Sequence, residues 1–165
     1  MIQNQILLAR MDFLYGCARL CNVLKAKVPV MIQSPRLQLT GARHPLLILR
    51  SVAVDRVQGY HKVIPFDLEL GSSYRLLVLS GPNTGGKTVL MKAVGLITLM
   101  ALSGLPVPVD QDSEIGLFTT VLADIGDDQS IENALSTFSS HLDKILKMLD
   151  TASPEALILI DEIGA

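Results

Sequence analysis

A glycine-rich loop between an apolar run and a helix-like tract constrains the fold of this chain more than any other feature. The loop reads "GPNTGGKT" (residues 81–88), and "RLLVLS" (75–80) stands directly before it. The unbroken apolar run predicts a buried strand, and the tract from Lys87 to Ser103, which ends at Gly104, predicts a helix. A buried strand that turns through glycines directly into a helix indicates an α/β fold.

The loop also matches the spacing G-x-x-x-x-G-K-[ST], which is typical of phosphate-binding loops. Glycines allow main-chain N–H groups to turn inward around phosphates, and the start of the following helix adds partial positive charge. In this pattern Lys87 reaches the β- and γ-phosphates, and the Thr88 hydroxyl is a magnesium ligand. The predicted nucleotide-binding residues of the loop are Gly81, Pro82, Asn83, Thr84, Gly85, Gly86, Lys87 and Thr88.

The stretch "LILIDE" (157–162) supplies the second acidic element that such a loop needs. Four apolar residues predict a buried strand, and Asp161 and Glu162 follow at its end. We expect Asp161 to be the carboxylate on the magnesium side and Glu162 to orient or deprotonate the attacking water. The long separation from Lys87, together with the glutamate, favours an ATPase over small GTPases and nucleotide kinases. ATP and magnesium are therefore the expected ligands.

Predicted helices and strands alternate along the rest of the chain. They are a helix over 4–26, strands in "LQLTGARHPLLIL", "VIPFDLEL", "GLFTTVLAD" and "ALILIDE", and an amphipathic helix over 136–150. This order predicts a P-loop NTPase with a mostly parallel, doubly wound sheet, preceded by a long N-terminal helix. We assign residues 1–35 to a helical arm and 36–165 to a P-loop ATPase domain. We expect that domain to be incomplete at its C-terminus, because a helix normally follows the last strand.

A hydroxyl-rich helix start lies between the two motifs, in "ADIGDDQSIENALSTFSSHL" (123–142). One interpretation is a solvated acidic loop followed by a serine-capped helix, which is common. The other is a second anion site, because a helix N-terminus attracts negative charge. A chain that already holds one P-loop would offer such a site to the γ-phosphate of a neighbouring subunit.

Composition narrows the class of protein further. Apolar residues make up 49% of the chain and the formal net charge is −2 with both signs mixed, so the chain lacks the basic surface typical of nucleic-acid-binding modules. The longest apolar tract is too short to span a bilayer, so we expect no membrane contact and a cytoplasmic location. Cys17 and Cys21 fit small buried residues of a reduced protein. His44 and His141 have no metal-ligand spacing, which favours turn or surface roles, and nothing in the spacing requires Arg43 to contact nucleotide.

Three stretches together resemble the ATPase domain of the MutS family. They are "GPNTGGKT", "DIGDDQSIENALSTFSSH" and "LILIDEIGA", and the T-G-G-K-T loop is most like the bacterial MutS-two branch. The resemblance covers residues 36–165, and the leading helix resembles the returning arm of the family's lever and core. It implies an ABC-type machine in which two ATPase domains dimerise and form composite sites. Ser136, Thr137 and Phe138 match the signature segment that acts in trans, and Val63, Ile64 and Pro65 match the segment that packs against adenine.

The resemblance also implies a homodimer that uses ATP binding and hydrolysis to drive a clamp on branched or mismatched DNA. DNA would be bound by domains outside these residues, and the branch is linked to recombination control, a nuclease-like domain and ribosome quality control. The family continues beyond "DEIGA" with further switch and dimerisation segments, so we expect this chain alone to bind and hydrolyse ATP weakly. Two alternatives remain: an ABC-type ATPase acting on a target other than DNA, although no LSGGQ-like signature is present, and a non-catalytic interaction fragment.

Overall fold

The computed structural model describes residues 2–54, 63–82, 85–126 and 134–161, and the fold is given for these ranges. The helices are α1 (Ile2–Leu24), α2 (Pro45–Val54), α3 (Lys87–Leu102) and α4 (Ala134–Thr151). The strands are β1 (Val30–Ile32), β2 (Leu37–Ala42), β3 (Phe66–Leu70), β4 (Glu114–Gly116), β5 (Thr120–Asp124) and β6 (Ala156–Ile160).

Four of the strands form a mixed sheet in the order β1-β4-β2-β3. Strand β1 is parallel to β4, whereas β2 is antiparallel to both β3 and β4. The inward side chains of this sheet, Leu37, Leu39 and Ile115, are at most 1% exposed and form the centre of the core. Burial of such side chains is the main favourable term in folding. The predicted strands that begin at Leu37 and end at Leu70 are thus confirmed in part of their length.

Strands β5 and β6 form a separate parallel pair that runs in register from Thr120 beside Ala156 to Asp124 beside Ile160. Leu157 and Leu159 of β6 are buried in the same core as the mixed sheet. Parallel strands end at one edge, so the residues after β5 and β6 lie near each other. The structure is therefore α/β with a parallel pair, and the doubly wound parallel sheet remains a prediction.

Helix α3 confirms the predicted helix and packs closely against β6. A Cβ atom placed on Gly95, in the middle of α3, would lie 2.8 Å from Cδ1 of Leu159. Glycine is unfavourable inside a helix by about 1 kcal/mol relative to alanine, so its presence here has a packing reason. The absent side chain lets α3 approach β6, which brings the start of the helix toward the end of the strand.

Three strand predictions were wrong in whole or in part. Residues 75–80 form no strand, and Leu76 and Val78 are 78% and 76% exposed. An apolar run becomes a strand only when neighbouring strands satisfy its main-chain groups, and no described strand pairs with this one. The run after His44 forms helix α2, since Pro45 has the φ angle of a first helical position. Residues 117–119, predicted within one strand, separate β4 from β5.

The long N-terminal helix is confirmed as α1, but large apolar side chains on it are exposed within the described part of the chain. Leu7, Met11 and Leu14 are 58–60% exposed, whereas Leu24 at the end of the helix is 2% exposed. Cys17 and Cys21 are half-buried free thiols rather than core residues. The domain division at residue 35 remains a prediction, although β1 before it pairs with β4. No helix in the described ranges has the length and apolar character needed to cross a bilayer.

Candidate functional site

The glycine-rich loop enters α3 through two residues with positive φ angles. Gly81 has φ 151° and Gly86 has φ 78°, and a Cβ at either position would meet no heavy atom within 4 Å. Gly86 occupies the N-cap position of α3 in the left-handed conformation, and no side chain caps the helix there. The first N–H groups of an α-helix have no partner within the helix. The start of α3 is therefore suited to bind an anion. Asn83 and Thr84 lie outside the described residues.

Lys87 and Thr88, the first two residues of α3, make the polar contacts of the loop. The ammonium group of Lys87 donates a hydrogen bond to the carbonyl of Gly81, which closes the loop on itself. Thr88 Oγ1 donates to Asp161 Oδ2 at 2.5 Å, across 73 residues of sequence. The structure thus brings together the hydroxyl and the carboxylate that the sequence predicts on the magnesium side. Glu162, the predicted base, lies outside the described residues.

Asp124 connects this pair to the rest of the parallel sheet. The N–H of Asp161 donates to the carbonyl of Asp124 at 2.9 Å, which continues the ladder between β5 and β6. The carboxylate of Asp124 is 4% exposed and accepts a hydrogen bond from Lys144 Nζ of α4 at 3.2 Å. A buried carboxylate requires a counter-charge or hydrogen-bond donors, since burial without them is costly. The ion pair therefore fixes α4 against the strand end that carries Asp161.

Helix α4 contains the predicted signature segment. Ser136, Thr137 and Phe138 lie in its first turns, where the structure describes the backbone but not these side chains. The segment begins eight residues before Lys144, or about 12 Å along the helix axis. Its role in a neighbouring site remains a prediction.

A cavity of about 630 Å³ opens beside the glycine loop. Its lining includes the loop glycines and the segment predicted to hold a base, together with residues of α2 and α3: Gly85, Gly86, Val63, Ile64, Pro65, Phe66, His44, Leu47, Arg50, Ser51, Val89, Leu90 and Ala93. The volume and the mostly apolar lining suit a small-molecule ligand. Ile64 is 82% exposed, so a ligand that covers it would remove apolar surface from water. The phosphate loop and the predicted base segment thus share one cavity.

His44 is a lining residue that the sequence did not identify as part of a site. It immediately precedes α2, and its carbonyl accepts a hydrogen bond from the N–H of Ile48. Its Nδ1 is buried and has no hydrogen-bond partner among the described residues. Burial lowers the pKa of His44, and the charges of Lys92 and Arg50 lower it further, although a contact with its own backbone partly opposes them. The ring is therefore neutral at neutral pH.

Arg43, the neighbouring cation, turns away from this cavity. Its guanidinium donates to the carbonyl of Gly41 at 3.0 Å, and Arg43 is not among the residues that line the cavity. The sequence signal for His44 was the His-Pro step that starts a helix. That signal gives the turn but not the cavity behind it.

The oxygen atoms at the loop fit a small hard cation. A hydroxyl and a carboxylate are the ligand types that magnesium prefers, and it usually keeps several waters or phosphate oxygens as well. Within the described ranges, no cluster of three or more His, Cys, Asp or Glu side chains forms a fuller protein-only metal site. The arrangement at Thr88 and Asp161 therefore suits a metal that arrives with a phosphate ligand.

Comparison with known proteins identifies the family of this chain. The family model described as MutS domain V matches residues 77–165, which is more than half of the chain. A protein named Endonuclease MutS2 from Geobacillus sp. (strain WCH70) is 46% identical over 165 residues, covering 100% of this chain and 20% of that protein.

Two other proteins of the same name are similar to the chain to the same degree. The one from Lactobacillus helveticus (strain DPC 4571) is 46% identical over 96% of this chain and 19% of its own length. The one from Listeria innocua serovar 6a (strain ATCC BAA-680 / CLIP 11262) is 45% identical over 98% of this chain and 19% of its own length. The chain thus spans about a fifth of the curated relatives that it matches. It belongs to the MutS family, and within that family it is similar to MutS2 proteins.

Proposed function

We propose that this chain is the ATP-binding and ATP-hydrolysing region of a MutS-type DNA-handling ATPase. The observation that carries the proposal is the 2.5 Å contact between Thr88 of the glycine loop and Asp161 at the end of β6. A glycine loop alone would indicate only an anion site. A loop hydroxyl held against a second acidic residue has the oxygen donors that a metal-bound nucleoside triphosphate requires.

The residues of the loop would bind the triphosphate. Main-chain N–H groups between Gly81 and Gly86 and the uncapped start of α3 would donate to phosphate oxygens. Lys87 would exchange the Gly81 carbonyl for the β- and γ-phosphates, since a phosphate is the stronger acceptor for an ammonium group. Bound magnesium, held on Thr88 and Asp161, would neutralise charge that develops on the phosphates.

Glu162 would act on the attacking water. It directly follows Asp161 in the sequence, and the sequence predicts it at the same strand end as the magnesium-side carboxylate. A carboxylate in that position accepts a proton from water as the water approaches the γ-phosphate. Water, rather than a second substrate, is then the phosphate acceptor.

The composite site and the DNA are further parts of the proposal. Two copies would form a homodimer in which Ser136, Thr137 and Phe138 of one copy contact the γ-phosphate held by the other. DNA that is branched or mismatched would be bound by parts of the protein outside these residues, since this chain is not basic. The relatives are named endonucleases, which favours a nucleic acid over the ribosome as the target. We also propose a cytoplasmic location.

The test uses the natural protein that carries this chain. Glu162→Gln should keep ATP bound within about twofold and lower turnover by at least about a hundredfold, as expected when a general base is lost. Lys87→Ala should weaken ATP binding itself. Glu155→Gln is the matched control, because Glu155 is an exposed glutamate before β6 and should change neither quantity.

Two outcomes would count against the proposal. Normal turnover by the Glu162→Gln protein would remove Glu162 from the base role. ATP binding that is absent, or unaffected by Lys87→Ala, would remove the proposed function as a whole.

A further inference from the structure

The ring of His44 lines the same cavity as the glycine loop, although it belongs to neither sequence motif. The cavity extends from Gly85 and Gly86, where phosphates would bind, to Val63 and Ile64, which belong to the predicted base segment. A nucleotide that reached both ends would bring its base close to His44. The polar side chains that line the cavity are His44, Arg50 and Ser51 among the described residues, and each could contact that base.

We propose that His44 selects the base of the nucleotide by accepting a hydrogen bond from a 6-amino group at Nδ1. This proposal rests on the proposed function and deepens it, because it names the ligand feature that the site reads. Its structural support is the position of the ring in the cavity wall and the buried Nδ1 that has no partner among the described residues.

The burial of Nδ1 matters because buried polar atoms in folded proteins are almost always hydrogen-bonded. A nitrogen that is unpartnered among the described residues, in a ring that borders a cavity, can be satisfied by a ligand once the nitrogen faces that cavity. The terminal side-chain torsion of histidine is broad and roughly two-fold, so a half-turn of the ring, which exchanges Nδ1 with Cδ2, would bring the nitrogen out of its buried position toward the ligand.

The protonation state determines which base is accepted. Among the described residues, Lys92 on α3 and Arg50 on α2 are the charged groups that lower the pKa of His44, because both are cations that oppose a third positive charge. A neutral imidazole has one donor nitrogen and one acceptor nitrogen. With Nδ1 as the acceptor, the 6-amino group of adenine can donate a hydrogen bond to it. The 6-oxo oxygen of hypoxanthine or guanine is itself an acceptor, so it would face Nδ1 without a hydrogen between them.

The experiment compares ATP with inosine triphosphate, which has a 6-oxo group, on the natural protein that carries this chain. Wild type should bind ATP about tenfold more tightly, the effect expected of one hydrogen bond whose loss leaves an acceptor unpaired. His44→Phe keeps a ring of similar shape but no acceptor, so the two nucleotides should bind within about twofold of each other. His44→Asn places an amide oxygen near the position of Nδ1 and should restore the preference. Arg43→Met is the control at a neighbouring position that does not line the cavity.

Tripolyphosphate separates this proposal from the proposed function. It has no base, so its affinity should be the same in wild type and His44→Phe and should fall in Lys87→Ala. Loss of tripolyphosphate binding only in Lys87→Ala, with an unchanged ATP preference in His44→Phe, would overturn the role of His44 and leave the phosphate site intact. If Lys87→Ala weakened the binding of none of the three ligands (ATP, inosine triphosphate and tripolyphosphate), the proposed function would be overturned instead.

A pH series on the wild-type protein provides a second test, which does not depend on whether a substituted protein folds. Because the pKa of His44 lies below its ordinary value, the ring gains its proton only as the pH falls well below neutrality. A protonated ring donates from both nitrogens and repels an amino group. The ratio of ATP to inosine triphosphate affinity should therefore fall as the pH is lowered through the pKa of His44. A ratio that rises, or that stays constant down to the acid limit of the folded protein, would contradict the proposal.

Discussion

Replacing Gly95 by alanine should destabilise the chain while Leu159 is present, and should stabilise it once Leu159 is shortened to valine. The added Cβ would lie 2.8 Å from Cδ1 of Leu159, whereas ordinary contacts begin at 3.4 Å. Leu159 is 8% exposed, so it has little free space into which it can move. Valine has no Cδ1 atom, and the Leu159→Val change therefore removes the clash.

The magnitude follows from two opposing terms. Alanine in place of glycine inside a helix gains about 1 kcal/mol. Overpacking of a buried position costs about 1–3 kcal/mol. With Leu159 present, the net change lies between about zero and a 2 kcal/mol loss of unfolding free energy, from these two terms. With valine at position 159, the gain of about 1 kcal/mol remains.

The assay is urea unfolding of the four proteins that form the double-mutant cycle: wild type, the two single variants and the double variant. Far-UV circular dichroism gives each unfolding free energy, and the coupling between positions 95 and 159 should be about 1–3 kcal/mol, equal to the overpacking term. A coupling below about 0.5 kcal/mol would show that Gly95 and Leu159 behave independently. The close approach of α3 to β6 would then have another cause.

Two further predictions concern the polar contacts at the strand ends. Thr88→Val should weaken ATP binding about tenfold in the presence of magnesium but little in its absence, because the lost hydroxyl is a metal ligand, and Thr88→Ser should restore it. Equal weakening under both conditions, measured by equilibrium binding, would contradict that role. Lys144→Met should lower the unfolding free energy by about 1–2 kcal/mol, less than for a fully buried pair because Lys144 is 47% exposed. The control is Lys147→Met on the exposed part of the same helix, which should change the unfolding free energy by less than about 0.5 kcal/mol. If thermal unfolding showed equal effects for Lys144→Met and Lys147→Met, Asp124 would not need Lys144.

The parts of the site that the sequence predicted depend on short local sequence patterns. A glycine loop before a helix is set by φ angles that other residues avoid, so Gly86 and the start of α3 follow from residue type alone. The strand before Asp161 is short and apolar, and it is buried as expected at Leu157 and Leu159. Two such elements with complementary chemistry predict a shared site. Their 2.5 Å contact agrees with that expectation.

The remaining features depend on which elements meet, and local patterns do not contain that information. Short apolar runs fit both helices and strands, which is why residues 45–49, predicted as part of a strand, form the first part of α2. The run at 75–80 has strand character but no described strand beside it. His44 joins the cavity only because α2 and α3 both border it, and Asp124 meets Lys144 only after α4 returns to the sheet.

The contact between Thr88 and Asp161 also has a consequence for folding. It closes a 73-residue segment of chain, and bringing the ends of a segment together costs entropy that grows slowly with its length. A ligand held by both ends binds only the closed form. At a hundred times its dissociation constant it would stabilise that form by about 2.7 kcal/mol. Contacts between elements so distant in sequence tend to form late and slowly. A metal–nucleotide ligand would therefore act on this chain as a non-covalent crosslink. It would stabilise the folded chain only after Thr88 and Asp161 have come together.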